Sequence, residues 1–86
     1  TIDNALWKVK QLRGVYYTHT IEGTRNIGVI AQEVENIIPE VVVENETNNL
    51  KSVAYSNLVS VLIEAIKELS TKVENMETIL KKNNLL

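Results

Sequence analysis

The stretch YSNLVSVLIEAIKELSTKVENMETILKK, from Tyr55 to Lys82, decides the fold. It contains neither glycine nor proline, the residues that most disfavour a helix interior. Its apolar residues recur at alternating intervals of three and four. With Val59 at heptad position a, the a positions are Val59, Ile66, Val73 and Leu80, and the d positions are Leu62, Leu69, Met76 and Asn83. Only Asn83 breaks the rule. A seam sustained over more than three heptads predicts a coiled coil. The helix is about 28 residues and about 42 Å long at its normal rise.

The residues flanking the seam change along its length. Leu58, Ile63 and Ala65 widen the apolar face in the first half, whereas Ser70, Lys72 and Glu77 flank the second, with Ile79 the exception. The first half is therefore expected to pack on the rest of the chain as well as on partner helices, and the second to project as a stalk. Glu68 with Lys72 and Glu77 with Lys81 are spaced as acid-then-base pairs, each worth a few tenths of a kcal/mol. The expected interface between chains is Val59, Leu62, Ile66, Leu69, Val73, Met76 and Leu80. β-Branched residues at a with leucine at d favour two strands. The apolar flanks favour a third chain, and three chains in parallel are expected.

Residues 1–54 read as a small α+β body preceding the helix of 55–86, all in one domain. Ile2, Leu6, Val9 and Leu12 fall at helical spacing over residues 2–13, and Gly14 sits where a helix ends. The run from Val15 to Ile21 is β-branched and aromatic and predicts a strand. A turn at Glu22-Gly23-Thr24 leads to a second strand over Asn26–Ile30, completing a hairpin. Val34, Ile37 and Ile38 stripe a helix from Ala31 to Ile38, which Pro39 cannot continue. Val41–Val43 and Leu50–Val53 predict a second hairpin around the polar loop Glu44–Asn49. Ala54 precedes the long helix without a capping side chain, leaving Ser52 or Ser56 as weaker caps.

Composition narrows the function. The chain has 86 residues, no cysteine and one histidine, His19. A domain this short is marginal alone and gains stability from disulfides, metals or oligomerisation. The first two are disfavoured by composition, and no cofactor is expected. The net charge is −2, which offers no basic footprint for nucleic acid or an anionic membrane. No apolar run approaches the ~20 residues of a membrane span. Thr1-Ile2-Asp3-Asn4 lacks the regions of a signal peptide and an initiator Met, so the chain is expected to be a piece of a longer one.

Candidate chemistry is sparse. His19 reads as a structural residue of a strand beside Tyr17. Gln32 and Glu33 are a candidate polar site, although an acid at a helix start is also favoured by the dipole. Trp7, Tyr16, Tyr17 and Tyr55 read as core or interface packing, because no basic residues interleave them. Lys8, Lys10 and Arg13 read as a solvated face. Gly23 and Gly28 do not form a phosphate loop.

Several segments together resemble one family. They are Leu12-Arg13-Gly14-Val15-Tyr16-Tyr17, Ile27-Gly28-Val29-Ile30-Ala31-Gln32-Glu33-Val34-Glu35, Ile38-Pro39-Glu40-Val41-Val42, Lys51-Ser52-Val53-Ala54-Tyr55-Ser56-Asn57-Leu58 and Leu62-Ile63-Glu64-Ala65-Ile66-Lys67-Glu68-Leu69. Their order and spacing resemble the C-terminal intramolecular chaperone domain of endosialidases and of related phage tailspike and fibre proteins; the myelin regulatory factor carries a similar domain. Ala54 departs from relatives that often carry Asp there.

The resemblance implies a homotrimer that brings three upstream β-rich fibre chains into register and is then released by self-cleavage. The implied setting is the host cytoplasm during virion assembly. The family cleaves itself with a serine and a nearby lysine, in a segment resembling Ser-Asp-x-Arg-x-Lys-x-Asn-Ile that would precede Thr1. Ser52, Ser56, Ser60 and Ser70 do not match the cleavage position, so no catalytic residue is expected here. The runner-up is a permanent trimerisation cap that stays attached. An enzyme acting on an external substrate is disfavoured, because no nucleophile–base pair is legible.

Overall fold

The computed structural model describes residues 1–18 and 23–85. His19, and the part of the first strand expected beyond Thr18, lie outside the described residues.

Helix α1 spans Ala5–Val9, shorter than the expected 2–13. Asn4 adopts the left-handed region (φ 52°), so the chain enters the helix abruptly and Ile2 packs as an apolar anchor outside it. Strands β1 (Val15–Thr18) and β2 (Arg25–Gly28) form an antiparallel hairpin in which Tyr16 opposes Ile27 and Val15 opposes Gly28.

Helix α2 covers Ala31–Glu35 and stops before the expected Ile38. The cause is Pro39, which disfavours helical backbone in the residue before it. Ile38 accordingly swings to φ −134° and ψ 73°, and a 3-10 turn over Pro39–Val41 follows. Strands β3 (Val42–Glu44) and β4 (Lys51–Val53) make the second hairpin. Its loop is built by asparagines. The Asn45 side-chain oxygen accepts from the Thr47 amide (2.9 Å), that of Asn48 accepts from the Leu50 amide (3.0 Å), and Asn49 takes φ 56°.

Helix α3 runs from Tyr55 to Lys82, the bounds read from the sequence. Neither Ser52 nor Ser56 caps it, since no side chain bonds its first turn at Ala54. The architecture is thus α+β, with two two-stranded sheets and one long helix. Its extents are 60 × 29 × 18 Å and its radius of gyration is 17.7 Å. A compact chain of this length would have a radius of about 12 Å. The difference is the second half of α3, which extends past the body.

The core comprises Ala5, Val34, Ile38, Val41, Leu58, Val61 and Ala65. Leu58 and Ala65 pack on the body as expected, but Ile63 does not and is 50% exposed. Val61 takes the place expected for Ile63. The helical angle explains the exchange. Leu58, Val61, Ala65 and Glu68 are spaced three, four and three apart and share one face, whereas Ile63 lies on the opposite flank of the seam.

Candidate assembly interface

Helix α3 carries two faces with different fates. One is spent inside the chain, where α1, α2 and the 3-10 turn contribute Ala5, Val34, Ile38 and Val41 to the core with Leu58, Val61 and Ala65. Its lower end is fixed by Glu68, whose carboxylate accepts hydrogen bonds from the amides of Ala5 (2.8 Å) and Leu6 (3.4 Å). Those amides belong to the first turn of α1, where backbone donors lack helical partners. The expected pairing of Glu68 with Lys72 is therefore replaced, because two fixed amides in a partly buried site hold the carboxylate better than one flexible surface ammonium. Glu77–Lys81 is also absent from the ion pairs of the described residues, which are Arg13–Glu33, Lys51–Glu35 and Lys67–Glu64.

The second face is the heptad seam. Val59, Leu62, Ile66, Leu69, Val73 and Met76 are between 37% and 66% exposed, and Leu80 is half-buried. These residues form one continuous apolar stripe along α3 that is largely uncovered among the described residues. Scattered apolar residues on a surface are ordinary, but a contiguous exposed stripe of this kind is uncommon on a monomeric protein.

The start of α3 is held by the first hairpin. The Tyr55 hydroxyl accepts a hydrogen bond from the Val29 amide at 3.3 Å and lies over Gly28. A Cβ built on Gly28 would stand 2.8 Å from that hydroxyl and 3.1 Å from the Tyr17 ring, so an alanine there would have to displace the Tyr55 side chain. Gly28→Ala is expected to cost about 1–3 kcal/mol through overpacking. Tyr55→Phe is expected to cost about 1 kcal/mol through the lost hydrogen bond. In the double variant the Gly28→Ala penalty should shrink, because the clashing oxygen is gone. Urea unfolding of the four members of this cycle measures the coupling. Strictly additive costs would show that the hydroxyl does not set the requirement for glycine.

Gln32 and Glu33 are separated by their surroundings. The Arg13 guanidinium grips Glu33 with two hydrogen bonds, of 2.9 and 2.7 Å. Through that bond it holds the Glu33 carboxyl below the usual carboxylate range, and Arg13 is raised in turn. Arg13 is thus part of a bidentate pair and not merely a solvated cation. Gln32 instead lines a groove of about 340 Å³ between the two hairpins, with Val15, Tyr17, Lys51, Val53 and Tyr55. Lys51 is itself paired with Glu35. Among the described residues no three His, Asp or Glu side chains converge on a metal position.

Of the two environments expected for the aromatic residues, core or interface, the chain's own core is not theirs: Trp7, Tyr16, Tyr17 and Tyr55 are all exposed. The Arg25 guanidinium lies 3.9 Å over the Tyr16 ring. The hairpin register accounts for this stacking, since Arg25 is the diagonal cross-strand neighbour of Tyr16. No helix of the described residues is long and apolar enough to cross a membrane.

Comparison with known proteins adds a lineage to this geometry. A family described as "Chaperone of endosialidase" matches residues 1–43. The long tail fiber protein Gp37 of Enterobacteria phage K3 is 36% identical over 85 residues, which cover 90% of this chain and 7% of that protein. The protein of the same name from Enterobacteria phage T2 is also 36% identical over 85 residues, covering 90% of this chain and 6% of the relative. The chain therefore spans less than a tenth of the length of these curated relatives.

Proposed function

The chain belongs to the endosialidase-chaperone family, and on that premise we propose that it assembles three copies of a fibre protein by trimerising through α3. The observation that carries this reading is the uncovered heptad stripe from Val59 to Leu80 on a helix whose other face is already committed to its own body. Burying that stripe against two other copies is the simplest way to remove it from water. The apolar flank at Ile63 favours three chains over two, because a third chain covers a wider face.

The physical case for such a device is kinetic. Aligning long β-rich chains is non-local, slow and open to aggregation. A helical seam forms quickly, fixes stoichiometry, and turns later pairing into an effectively intramolecular event. The relatives are tail fibre proteins by name, which supports a fibre region of the same polypeptide as the client. Release by self-cleavage, with a serine and lysine placed ahead of Thr1, is the finer part of the proposal. In that scheme the residues described here assemble and do not cut.

Sedimentation equilibrium of the chain at micromolar concentration tests the reading. A mass of three chains, unchanged over days of incubation, is expected. A stable monomer or dimer overturns the trimer, and a specific cut at Ser52, Ser56, Ser60 or Ser70 overturns the placement of the cleavage chemistry.

A further inference from the structure

The seam explains why chains associate, but an apolar stripe alone tolerates reversed or slipped helices. The stalk carries the means to exclude them. In the heptad frame Lys72 is a g position and Glu77 is the e position of the following heptad. In a parallel, in-register coiled coil, g of one helix lies beside the next-heptad e of its neighbour, where charged residues set orientation and partner choice. Both side chains are exposed, and neither enters an ion pair within the chain among the described residues. Each has lost the partner its spacing offers: Glu68 is held by α1, and Lys81 does not reach Glu77.

We propose that Lys72 of each chain pairs with Glu77 of the neighbouring copy, so that a ring of inter-chain ion pairs fixes the parallel orientation and the register of the assembly. The inference rests on the trimer proposed above and names the contact that orders it. Charge complementarity supports it at this level. The preceding g-to-e pairs would be Leu58 with Ile63 and Ala65 with Ser70, apolar with apolar and small with small. Leu58 and Ala65 are already covered by the chain's own body, which leaves the stalk pair as the flank able to discriminate. An antiparallel arrangement places g beside g and e beside e, so Lys72 and Glu77 would no longer face each other. A one-heptad slip would move Lys72 beside Ser70 or Asn84.

Charge exchange in the full chain is the test. Lys72→Glu and Glu77→Lys each put like charges at every flank and should raise the concentration at half-assembly about tenfold or more in low salt. The double variant restores opposite charges and should assemble close to the parent. An equimolar mixture of the two single variants should assemble better than either alone. All differences should shrink in 1 M salt, where the screening length falls to about 3 Å. Single variants that assemble like the parent, or a double variant whose loss is the sum of the two, would overturn the ion-pair ring and leave the trimer standing. A parent chain that never assembles would remove the trimer and the ring together. Both positions are far from the core, and since assembly and folding are coupled, recovery in the double variant is what separates a lost ion pair from a failure to fold.

Discussion

Leu69→Asp is expected to abolish assembly and folding together. Leu69 is 49% exposed in a single chain and lies outside its core cluster, so the substitution leaves the chain's own core intact. In the proposed trimer its main effect comes through the partner chains. At a d position three carboxylates would then meet at one level of the seam, where desolvation is costly and like charges repel. Losing the leucine adds about 2–5 kcal/mol per chain by the standard of core truncations.

The coupling to folding follows from the size of the core. Among the described residues its seven buried side chains include two alanines and no aromatic residue. A body with so little buried surface is marginal alone, and if it assembles as proposed its stability should rise with chain concentration. Circular dichroism melting at several protein concentrations measures the effect. The parent should melt higher as concentration rises, and Leu69→Asp should be largely unfolded. Asn83→Asp, at the end of α3, should cost little, because it loses only a terminal contact from its amide to the Ile79 carbonyl (2.9 Å). A folded Leu69→Asp monomer with a concentration-independent melt would show that the body is self-sufficient and the seam an accessory.

How much of this was legible in the sequence depended on the range of the interaction concerned. Helix α3 could be read to its ends because its period, its lack of breakers and its heptads are all local signals. The hairpins were legible for the same reason, through β-branched runs bounded by turn residues. What escaped was tertiary. Glu68 is 62 and 63 residues from the amides it binds, and Arg13 is 20 residues from Glu33, so no short-range spacing announces either contact. The short-range rule pointed instead to Glu68–Lys72.

The body-facing stripe did leave a signal. Leu58, Val61, Ala65 and Glu68 form a second set at helical spacing beside the heptads, and Val61 in it is an apolar residue that the seam does not use. Of the core or interface packing read for the aromatic residues, the chain's own core takes none of them. The small residues Ala5 and Ala65 are among the buried ones, since two backbones approach most closely where side chains are smallest.

Ala5→Leu should separate the fold of the body from its assembly. Ala5 is completely buried on α1 where that helix packs on α3, and Ala65 is buried in the same cluster. The site cannot widen freely, because the Ala5 amide is bonded to the Glu68 carboxylate at 2.8 Å. Moving α1 outward to admit a larger side chain would stretch that bond and strand the first amides of the helix in a partly buried place. Overpacking of this kind costs about 1–3 kcal/mol, or a fall in melting temperature on the order of 5–15 °C for a chain of this size. The seam lies on another face of α3 and is untouched, so Ala5→Leu should still sediment as the parent does while α1 becomes more open to limited proteolysis. Trp7→Ala, on the exposed side of the same short helix, provides the comparison and should shift stability by no more than about 0.5 kcal/mol. Should Ala5→Leu melt like the parent, α1 is not close-packed on α3, and the Glu68 bond alone holds it there.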